Sequence, residues 1–433
     1  MENNSVWQNK EMPEFPSAVG YVKTDVLIIG GGIAGLLTAY LLKQNNVDCV
    51  VAERDKICRG VTSRTTAKLT FQHGLIYSKI FRNYGAEKAK MYLEANRKAL
   101  LEYEELSRKI DCGFKKADSF IYSRNNRAAL EEEVDVLKKI GYSAELCDVT
   151  ELPFPAVGAV KFKNQATFDP LKFLSGIAAS GLKIYEHTHI TGIEGHRAVS
   201  SRSEIAAKKI IVCTHFPFIN RHGSYFLKMY QSSSDVLALK NAPRFSGIYM
   251  DENKDGFSFR NYQDYLLIGG GNRKTGQPCR YDTLIRLAKT AYPEAKIKYL
   301  WHTEDCMTLD SIPYIGNYSA LTPNLYVACG FNKWGMTSAM AAARILCNKI
   351  LDKPCGYAEV FSPSRSILKK QLWVNIGNAA ANLCKLSTPR CPHMGCALKW
   401  NSSEKIWECP CHGSSFSEDG ELIENPSNRD LDI

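Results

Sequence analysis

The first apolar segments of the chain follow one another in a regular order. Residues 25–29 form a short apolar run that is typical of a buried parallel strand. Residues 36–44 then have helical spacing, and a second apolar run, residues 48–52, ends at Glu53. This strand–helix–strand order predicts a βαβ unit, and with it an α/β fold built on a doubly wound parallel sheet.

The rest of the chain divides into two unequal parts. Residues 84–109 and 126–140 have the spacing and charge of helices. Residues 353–366 contain prolines and serines, which predicts a linker. We therefore expect one domain over residues 1–363, with its linker from about residue 353, and a second domain over residues 364–433.

The longest apolar run, Val26–Leu42, has 17 residues, which is the short limit for a membrane span, and it contains four glycines. Because the βαβ unit explains the same run, we expect no integral membrane segment. Residues 1–24 are polar and lack the apolar core of a signal peptide, so we expect a cytoplasmic protein. Most of its 15 cysteines should then be free thiols or ligands.

Composition narrows the class of protein. The 433 residues are 45% hydrophobic and 23% charged, which excludes a disordered, collagen-like or coiled-coil chain. The formal net charge is +10, and residues 364–433 carry eight basic and eight acidic residues, so the positive excess lies before them. Its basic residues are scattered, so we expect no nucleic-acid partner but a cofactor that carries phosphate.

Between the first strand and the helix, Gly30, Gly32 and Gly35 form a G-x-G-x-x-G motif. In a dinucleotide site the first glycine allows a tight turn, the second lets the pyrophosphate approach the backbone, and the third lets helix and strand pack closely. The N-terminus of the helix offers free N–H groups to the phosphates, and Glu53 can accept hydrogen bonds from the ribose hydroxyls. A tight turn without a ligand is the alternative.

Three further segments accompany this motif, namely the hydroxyl-rich loop 60–68, residues 310–316 and residues 324–337. With them, residues 22–353 resemble the FAD-dependent oxidoreductases of the D-amino-acid oxidase and glycine oxidase superfamily. The resemblance implies FAD as the cofactor. The residues that it implies for FAD binding are Gly30, Gly32, Gly35, Glu53, Arg54, Ser63, Arg64, Thr66, Asp310, Gly330, Gly335, Met336 and Thr337.

The same resemblance implies two interleaved parts in the first domain. The FAD-binding, Rossmann-like part takes residues 22–81, about 150–215 and 300–353. A β-rich substrate part takes residues 82–149 and 216–299.

In this superfamily the flavin takes the hydride and the protein orients the substrate. Lys68 and His73 follow the loop that faces the flavin, and Lys333 lies in the segment that closes over it, so these three are the candidate catalytic residues. Gln72 is a further candidate for lining the active site, and Arg260 is a candidate for binding a substrate carboxylate. A plain core or surface role is the alternative for each.

Two other features of this domain carry hypotheses. Cys306 lies in a context similar to that of the flavin-linked cysteine of sarcosine oxidases, so a covalent flavin is one hypothesis. A second glycine run, residues 269–271, is not followed by the start of a helix, so we expect a hairpin or loop there and no separate nicotinamide domain.

The C-terminal domain carries a second constellation. Cys391 and His393 are followed, after 15 intervening residues, by Cys409 and His412, which gives the spacing C-x-H and C-x-x-H. Two cysteines and two histidines on paired loops suit a [2Fe–2S] centre in which two His replace two Cys on one iron. A structural zinc site has the same ligand types, and unligated disulfides are a further alternative.

These two loops closely resemble the Rieske family, which implies that the four residues ligate the cluster. The family also implies a disulfide between Cys396 and Cys411 and a small all-β domain with a proline loop at residues 425–427. Phe416 stands where high-potential Rieske proteins commonly have tyrosine, so we expect a lower reduction potential. Only residues 371–390 precede the first loop, too few for the usual base sheet. The cluster loops then lean on the flavoprotein domain or hold a labile cluster.

Together these features predict an FAD-dependent oxidoreductase. We expect it to oxidise a small organic substrate, an amine or amino acid, and to pass electrons from flavin through the cluster to an external one-electron carrier. The alternatives are a reductase that moves electrons from cluster to flavin, and a non-catalytic redox sensor. The sequence determines neither the substrate, the direction of electron flow, the carrier nor the oligomeric state.

Overall fold

The computed structural model describes residues 4–7, 10–386 and 389–432. Its α-helices are α1 (Ile33–Gln44), α2 (Ile76–Ser107), α3 (Arg127–Lys139), α4 (Pro170–Ala178), α5 (Tyr225–Lys228), α6 (Tyr281–Ala291), α7 (Gly335–Ile350) and α8 (Lys370–Leu383). Its strands are β1 (Gly20–Ile29), β2 (Cys49–Ala52), β3 (Lys68–Leu69), β4 (Lys115–Ser123), β5 (Glu145–Cys147), β6 (Gly158–Thr167), β7 (Lys183–Tyr185), β8 (Gly192–Glu194), β9 (Arg197–Val199), β10 (Ser203–Val212), β11 (Met229–Lys240), β12 (Ile248–Asp251), β13 (Ser258–Tyr262), β14 (Tyr265–Lys274), β15 (Lys296–Thr308), β16 (Tyr314–Asn317), β17 (Leu325–Cys329), β18 (Lys399–Asn401), β19 (Ile406–Glu408), β20 (Ser415–Phe416) and β21 (Leu422–Glu424). Among these described residues, no helix has both the length and the apolar character that a membrane crossing requires.

The first sheet is built around the predicted βαβ unit. Its strands lie in the order β16–β17–β10–β1–β2–β7, and the β8–β9 hairpin continues from β10. The pairs around β1 and β10 are parallel, and only β16 and the hairpin run antiparallel. Helices α1 and α7 lie against each other and share a buried core with β1. The predicted α/β fold with a doubly wound parallel sheet is confirmed.

The second sheet has nine strands in the order β15–β11–β14–β13–β12–β4–β6–β3, with β5 beside β6. Three of its strands, β3, β6 and most of β15, lie in segments that we assigned to the FAD-binding part, and that assignment was wrong. In β6, buried Val160 and Phe162 alternate with Lys161 and Lys163, which face outward to different degrees. Such alternation fits an antiparallel sheet with one wet face better than a parallel sheet covered on both faces.

Two other local expectations concern the glycine run and the helix near residue 84. Residues 269–271 continue strand β14 and so belong to the β13–β14 hairpin, which is the hairpin alternative of the expectation and not the loop. A Cβ on Gly269 would lie 2.8 Å from the Ser258 hydroxyl, so the missing side chain lets β13 approach closely. Helix α2 is interrupted at Gly85, whose φ is +83°, so its second part, residues 86–107, matches the helix predicted over residues 84–109, and only its first part, residues 76–84, was not predicted.

The C-terminal residues form a four-stranded antiparallel sheet, β18–β19–β20–β21, preceded by α8. The expected linker before α8 is packed against the first domain. Phe361 is fully buried, and Arg365 forms a two-pronged ion pair with Asp310. A small all-β unit thus follows a mixed α/β body, and the segment between them is fixed at its Asp310 anchor.

Candidate functional site

A cavity of about 700 Å³ is lined by residues of both domains. Gly30 and Gly32 at the start of α1 line it. Glu424 and Asn425 of the all-β unit line it as well. The two domains therefore share one cavity.

The glycine motif shapes the part of the cavity wall that Gly30 and Gly32 line. A Cβ on Gly35 would lie 1.9 Å from the Gly30 carbonyl oxygen, so only glycine lets α1 pack this closely on β1. Gly30 has a φ of +109°, and its Cβ would lie 2.7 Å from the Cys213 carbonyl oxygen. The N-terminus of α1 opens on the cavity at Gly32. This is a cradle for phosphate, because helix N-termini present N–H groups and a positive dipole end.

Glu53 lies beside this cradle. Its two carboxylate oxygens accept the backbone N–H groups of Gly31 and Asp55, at 2.6 and 3.0 Å. Each oxygen keeps a further lone pair for a ribose hydroxyl, since an ionised carboxylate has about four acceptor sites. Arg54 also lines the cavity, and it donates to the carbonyl of Ile423 in the C-terminal unit.

The other residues expected at FAD divide into two groups. Those that line the cavity with the cradle are Thr66, Gly330, Gly335 and Met336. Those that lie behind its wall are Gly35, Ser63, Arg64, Asp310 and Thr337. The second group supports the wall: the Ser63 hydroxyl donates to the Arg59 carbonyl, and the Arg64 carbonyl accepts from Trp301.

Lys68 also lines the cavity. Its ammonium donates to the hydroxyls of Thr66 and Ser258 at 2.8 and 3.1 Å. Burial, together with nearby Arg260 and Lys333, lowers the pKa of Lys68 to about 7. The side chain can therefore take up or release a proton near neutral pH.

His73 is held from all sides. Its Nδ1 lies 2.7 Å from the Tyr92 hydroxyl, and its Nε2 lies 2.9 Å from both the Thr70 carbonyl and the Thr337 hydroxyl. The ring stacks on Trp334 with 4.9 Å between centroids. Burial lowers the pKa of His73 to about 3, so the imidazole is neutral. This geometry suits a role for His73 in holding the cavity wall in position.

Lys333 forms an ion pair with a residue that the sequence reasoning missed. Its Nζ lies 2.7 Å from Asp305 Oδ2 and donates to the Ser234 hydroxyl at 3.1 Å. Asp305 and Ser234 line the cavity from neighbouring strands β15 and β11. Thr303, Asp305, Cys306 and Met307 of β15 all line the cavity, so no alternation along this strand marked Asp305 in the sequence.

The remaining candidates have different surroundings. Arg260 is buried and donates to the carbonyls of Thr66 and Ala67, so it holds the 60–68 loop and does not line the cavity. Gln72 likewise donates to a backbone carbonyl, at 2.6 Å, and is absent from the cavity wall. Cys306 does line it, and burial raises the pKa of its thiol well above the usual value.

The four candidate cluster ligands come together on two similar loops. In the first loop the N–H of Gly395 donates to the Cys391 carbonyl, and in the second that of Gly413 donates to the Cys409 carbonyl. Both glycines have positive φ, +78° and +84°, which the turns require. The thiols of the two cysteines are hydrogen-bonded, and Cys409 and Ser414 lower the pKa of Cys391 to about 7.

The histidine rings are prepared for metal ligation. The Nε2–H of His393 donates to Asn220 Oδ1 at 2.9 Å, and that of His412 donates to the Phe226 carbonyl at 3.0 Å. Each Nδ1 must then carry a lone pair. Both Nδ1 atoms are buried, and neither has a hydrogen-bond partner in the described part of the chain. Two thiols and two buried, unpartnered imidazole nitrogens fit a [2Fe–2S] centre with mixed ligands.

Cys396 and Cys411 are joined by a disulfide that connects the two loops. Cys409 lies beside it, with its sulfur within 4.8 Å of both disulfide sulfurs. Phe416 is fully buried in the same apolar cluster as Cys391 and Cys409. A structural zinc site has no use for the disulfide, so the arrangement favours the iron–sulfur alternative.

The cluster loops lean on the first domain, as one of the two alternatives predicted. A Cβ on Gly413 would lie 2.3 Å from Gln231 of β11, so the second loop packs directly on the second sheet. Asn425 donates to the carbonyls of Thr214 and Phe216. The Phe216 ring in turn lies 5.9 Å from the His412 ring, centroid to centroid.

Fold and site together define a flavoprotein oxidoreductase that carries a Rieske-type domain. Residues 25–349 match the family described as FAD dependent oxidoreductase, and residues 370–433 match the Rieske [2Fe-2S] domain. The chain therefore belongs to the FAD-dependent oxidoreductase family and has a Rieske domain at its C-terminal end. FAD and a [2Fe–2S] cluster are the cofactors of these two domains.

Individual proteins agree with this assignment. The chain is 33% identical to the putative Rieske 2Fe-2S iron-sulfur protein YhfW of Bacillus subtilis (strain 168), over 97% of this chain and 95% of the relative. It is 25% identical to gamma-glutamylputrescine oxidoreductase of Escherichia coli (strain K12), over 78% and 86%. The structure of glycine oxidase from Geobacillus kaustophilus superimposes with a TM-score of 0.68 at 18% identity, over 80% of this chain and all of the other.

Proposed function

We propose that this oxidoreductase oxidises a small amine or amino acid and delivers the electrons through its Rieske domain to an external one-electron carrier. One observation supports this proposal: Thr214 and His215 line the cavity, and the ring of the next residue, Phe216, packs against the ring of His412. A bound FAD would accept two electrons from the substrate as a hydride, and a bound cluster would pass them on one at a time.

Roles for the cavity residues follow from their contacts. Gly30, Gly32, Glu53 and the other wall residues described above would hold FAD, with Gly35 and Asp310 supporting them. The carboxylate of Asp305 suits a substrate ammonium, and Lys68 and Lys333 suit polar groups near the flavin. The names of two similar proteins, gamma-glutamylputrescine oxidoreductase and glycine oxidase, support an amine or amino acid as the substrate class.

In the C-terminal part, Cys391, His393, Cys409 and His412 would ligate the iron atoms, with the Cys396–Cys411 disulfide clasping the loops. We propose residues 1–363 as the flavoprotein unit and residues 364–433 as the cluster unit.

The test is anaerobic reduction of the holoprotein by a panel of amines and amino acids. We expect at least one of them to bleach the flavin absorbance and then to generate the electron paramagnetic resonance signal of a reduced Rieske cluster. Phe216→Leu should slow the second event and leave the first unchanged, while Phe81→Leu, the same change at a half-buried residue outside the cavity wall, should affect neither the cluster signal nor its rate. Reduction by NAD(P)H or a reduced ferredoxin, but by no amine, would instead establish the reductase direction.

A further inference from the structure

Helix α8, which leads into the cluster domain, is oriented with its apolar side outward. Its solvent-facing residues are Trp373, Val374, Ile376, Gly377, Ala380, Ala381, Leu383 and Cys384 at the C-cap. Trp373 is 67% exposed, and flanking Leu386 is almost completely exposed. A surface helix of a water-soluble protein normally has the opposite arrangement.

The inward side of α8 is mainly polar, and its one buried apolar side chain is that of Leu372. Gln371, Asn375, Asn378 and Asn382 recur at intervals of three or four residues, so they share one face of the helix. The amide of Asn375 donates to the Leu227 carbonyl at 3.3 Å, and the carbonyl of Asn382 accepts from the N–H of Ala397 at 3.2 Å. These contacts fix which side faces the protein, so the apolar side is left without a protein partner in the described residues.

The charge around this helix has one sign. Residues 364–403 contain six basic residues and no acidic one. Lys369 and Lys370 precede α8, and Lys385 and Arg390 follow it, and none of these four forms an ion pair within the described chain. Lysines at a helix N-terminus also oppose the helix dipole, so they do not serve the stability of α8. An anionic surface would neutralise both ends.

We propose that α8 and its basic flanks bind the surface of an anionic lipid bilayer. The helix would lie in the plane of the interface, with Trp373 and Leu383 inserted among the acyl chains and the lysines at the phosphate level. A lipid surface accounts for apolar side chains that protrude singly along a whole helix, and for cations at both of its ends. This inference does not depend on the substrate or on the direction of electron flow.

Binding there would place the cluster domain at the bilayer. Arg390 donates to the carbonyls of Leu383 and Gly395, at 3.2 and 2.7 Å, and so ties the end of α8 to the first cluster loop. Met394, beside the candidate ligand His393, is also exposed. The proposed membrane face and the cluster loop therefore move as one piece.

The experiment is sedimentation of the full-length holoprotein with vesicles. We expect binding to vesicles of equal parts phosphatidylglycerol and phosphatidylcholine, much weaker binding to phosphatidylcholine alone, and release by high salt. The double variant Trp373→Gln/Leu383→Gln should weaken binding by at least about tenfold, since each change removes a large apolar group from the interface. Lys369→Gln/Lys370→Gln should also weaken vesicle binding, because it removes two positive charges that attract the anionic lipids.

Two control variants match these changes elsewhere on the surface. Leu321→Gln alters another strongly exposed leucine, and Lys115→Gln another exposed lysine; both should bind vesicles like the parent protein. The proposal is overturned if the parent protein sediments with no vesicle. It is also overturned if the parent is a dimer that Trp373→Gln/Leu383→Gln converts to a monomer without a change in vesicle binding, because the face is then an interface between copies.

Discussion

Lys68 is a cavity residue whose protonation state changes near neutral pH. Its pKa in the folded protein is about 7, against 10.5 for an ordinary lysine, because of burial and then of Arg260 and Lys333. Between pH 7 and 10.5 the unfolded chain binds this proton and the folded chain does not, so the contribution of Lys68 to the free energy of unfolding rises with pH through that window.

Lys68→Met should therefore remove this contribution. Between pH 7 and 10, the slope of the free energy of unfolding against pH should become less positive than in the parent protein. Denaturant unfolding at several pH values measures it. The exposed Lys115→Met serves as the control and should keep the slope of the parent protein. An unchanged slope in Lys68→Met would show that Lys68 titrates like a surface lysine.

Ser414 tunes the cluster through one hydrogen bond. Its hydroxyl bonds the Cys391 thiol, and a donor to a ligand sulfur stabilises the reduced, more negative cluster. Ser414→Ala should lower the midpoint potential by about 40–60 mV, which corresponds to a hydrogen bond of about 1–1.5 kcal/mol. A redox titration followed by electron paramagnetic resonance measures the shift.

Ser417→Ala is the matched control for this change. The Ser417 hydroxyl accepts from the N–H of Glu421, outside the two cluster loops, so the potential should stay at the parent value. If Ser414→Ala and Ser417→Ala have the same potential, the hydroxyl of Ser414 has no part in tuning.

At the scale of elements, the joint between β1 and α1 is the most constrained. A methyl group on Gly35 would overlap the Gly30 carbonyl oxygen. Gly35→Ala should lower the free energy of unfolding by about 3 kcal/mol or more and abolish flavin retention, because the overlap outweighs the gain of about 1 kcal/mol in helix propensity.

Gly192→Ala is the comparison for this variant. Gly192 does not line the cavity or have a positive φ, and nothing lies within 4 Å of its added Cβ. It should unfold like the parent and keep its flavin. Retention of the flavin by Gly35→Ala at full stability would contradict the proposed cradle.

Some elements could be predicted from the sequence pattern, and others could not. The βαβ unit was predictable because its turn, its helix and its acid are neighbours in sequence. Strands β6 and β15 were assigned to the wrong part because their partners, β4 and β11, are remote in sequence. The glycine run in β14 resembled a loop, since its role is to admit a neighbouring strand that the sequence does not identify.

On the scale of the whole molecule, the cluster unit depends on the flavoprotein. Asn220 and the Phe226 carbonyl hold the two candidate histidine ligands from outside the cluster unit. Residues 1–363 expressed alone should bind FAD, whereas residues 364–433 alone should lose iron rapidly. Flavin content and the cluster's electron paramagnetic resonance signal measure both, with the full-length protein as the reference. A stable Rieske signal from the isolated fragment would contradict this dependence.

The sequence by itself determined the features that rest on residues close together in the chain: the glycine turn with Glu53, and the C-x-H and C-x-x-H loops. Local geometry and ligand chemistry need only a fixed spacing. Tertiary structure alone decided that Lys333 pairs with Asp305, that Arg260 faces backbone instead of substrate, and that Phe216 lies between the cavity and His412. Those contacts arise where remote strands and loops pack together, and spacing along the chain carries no record of that packing.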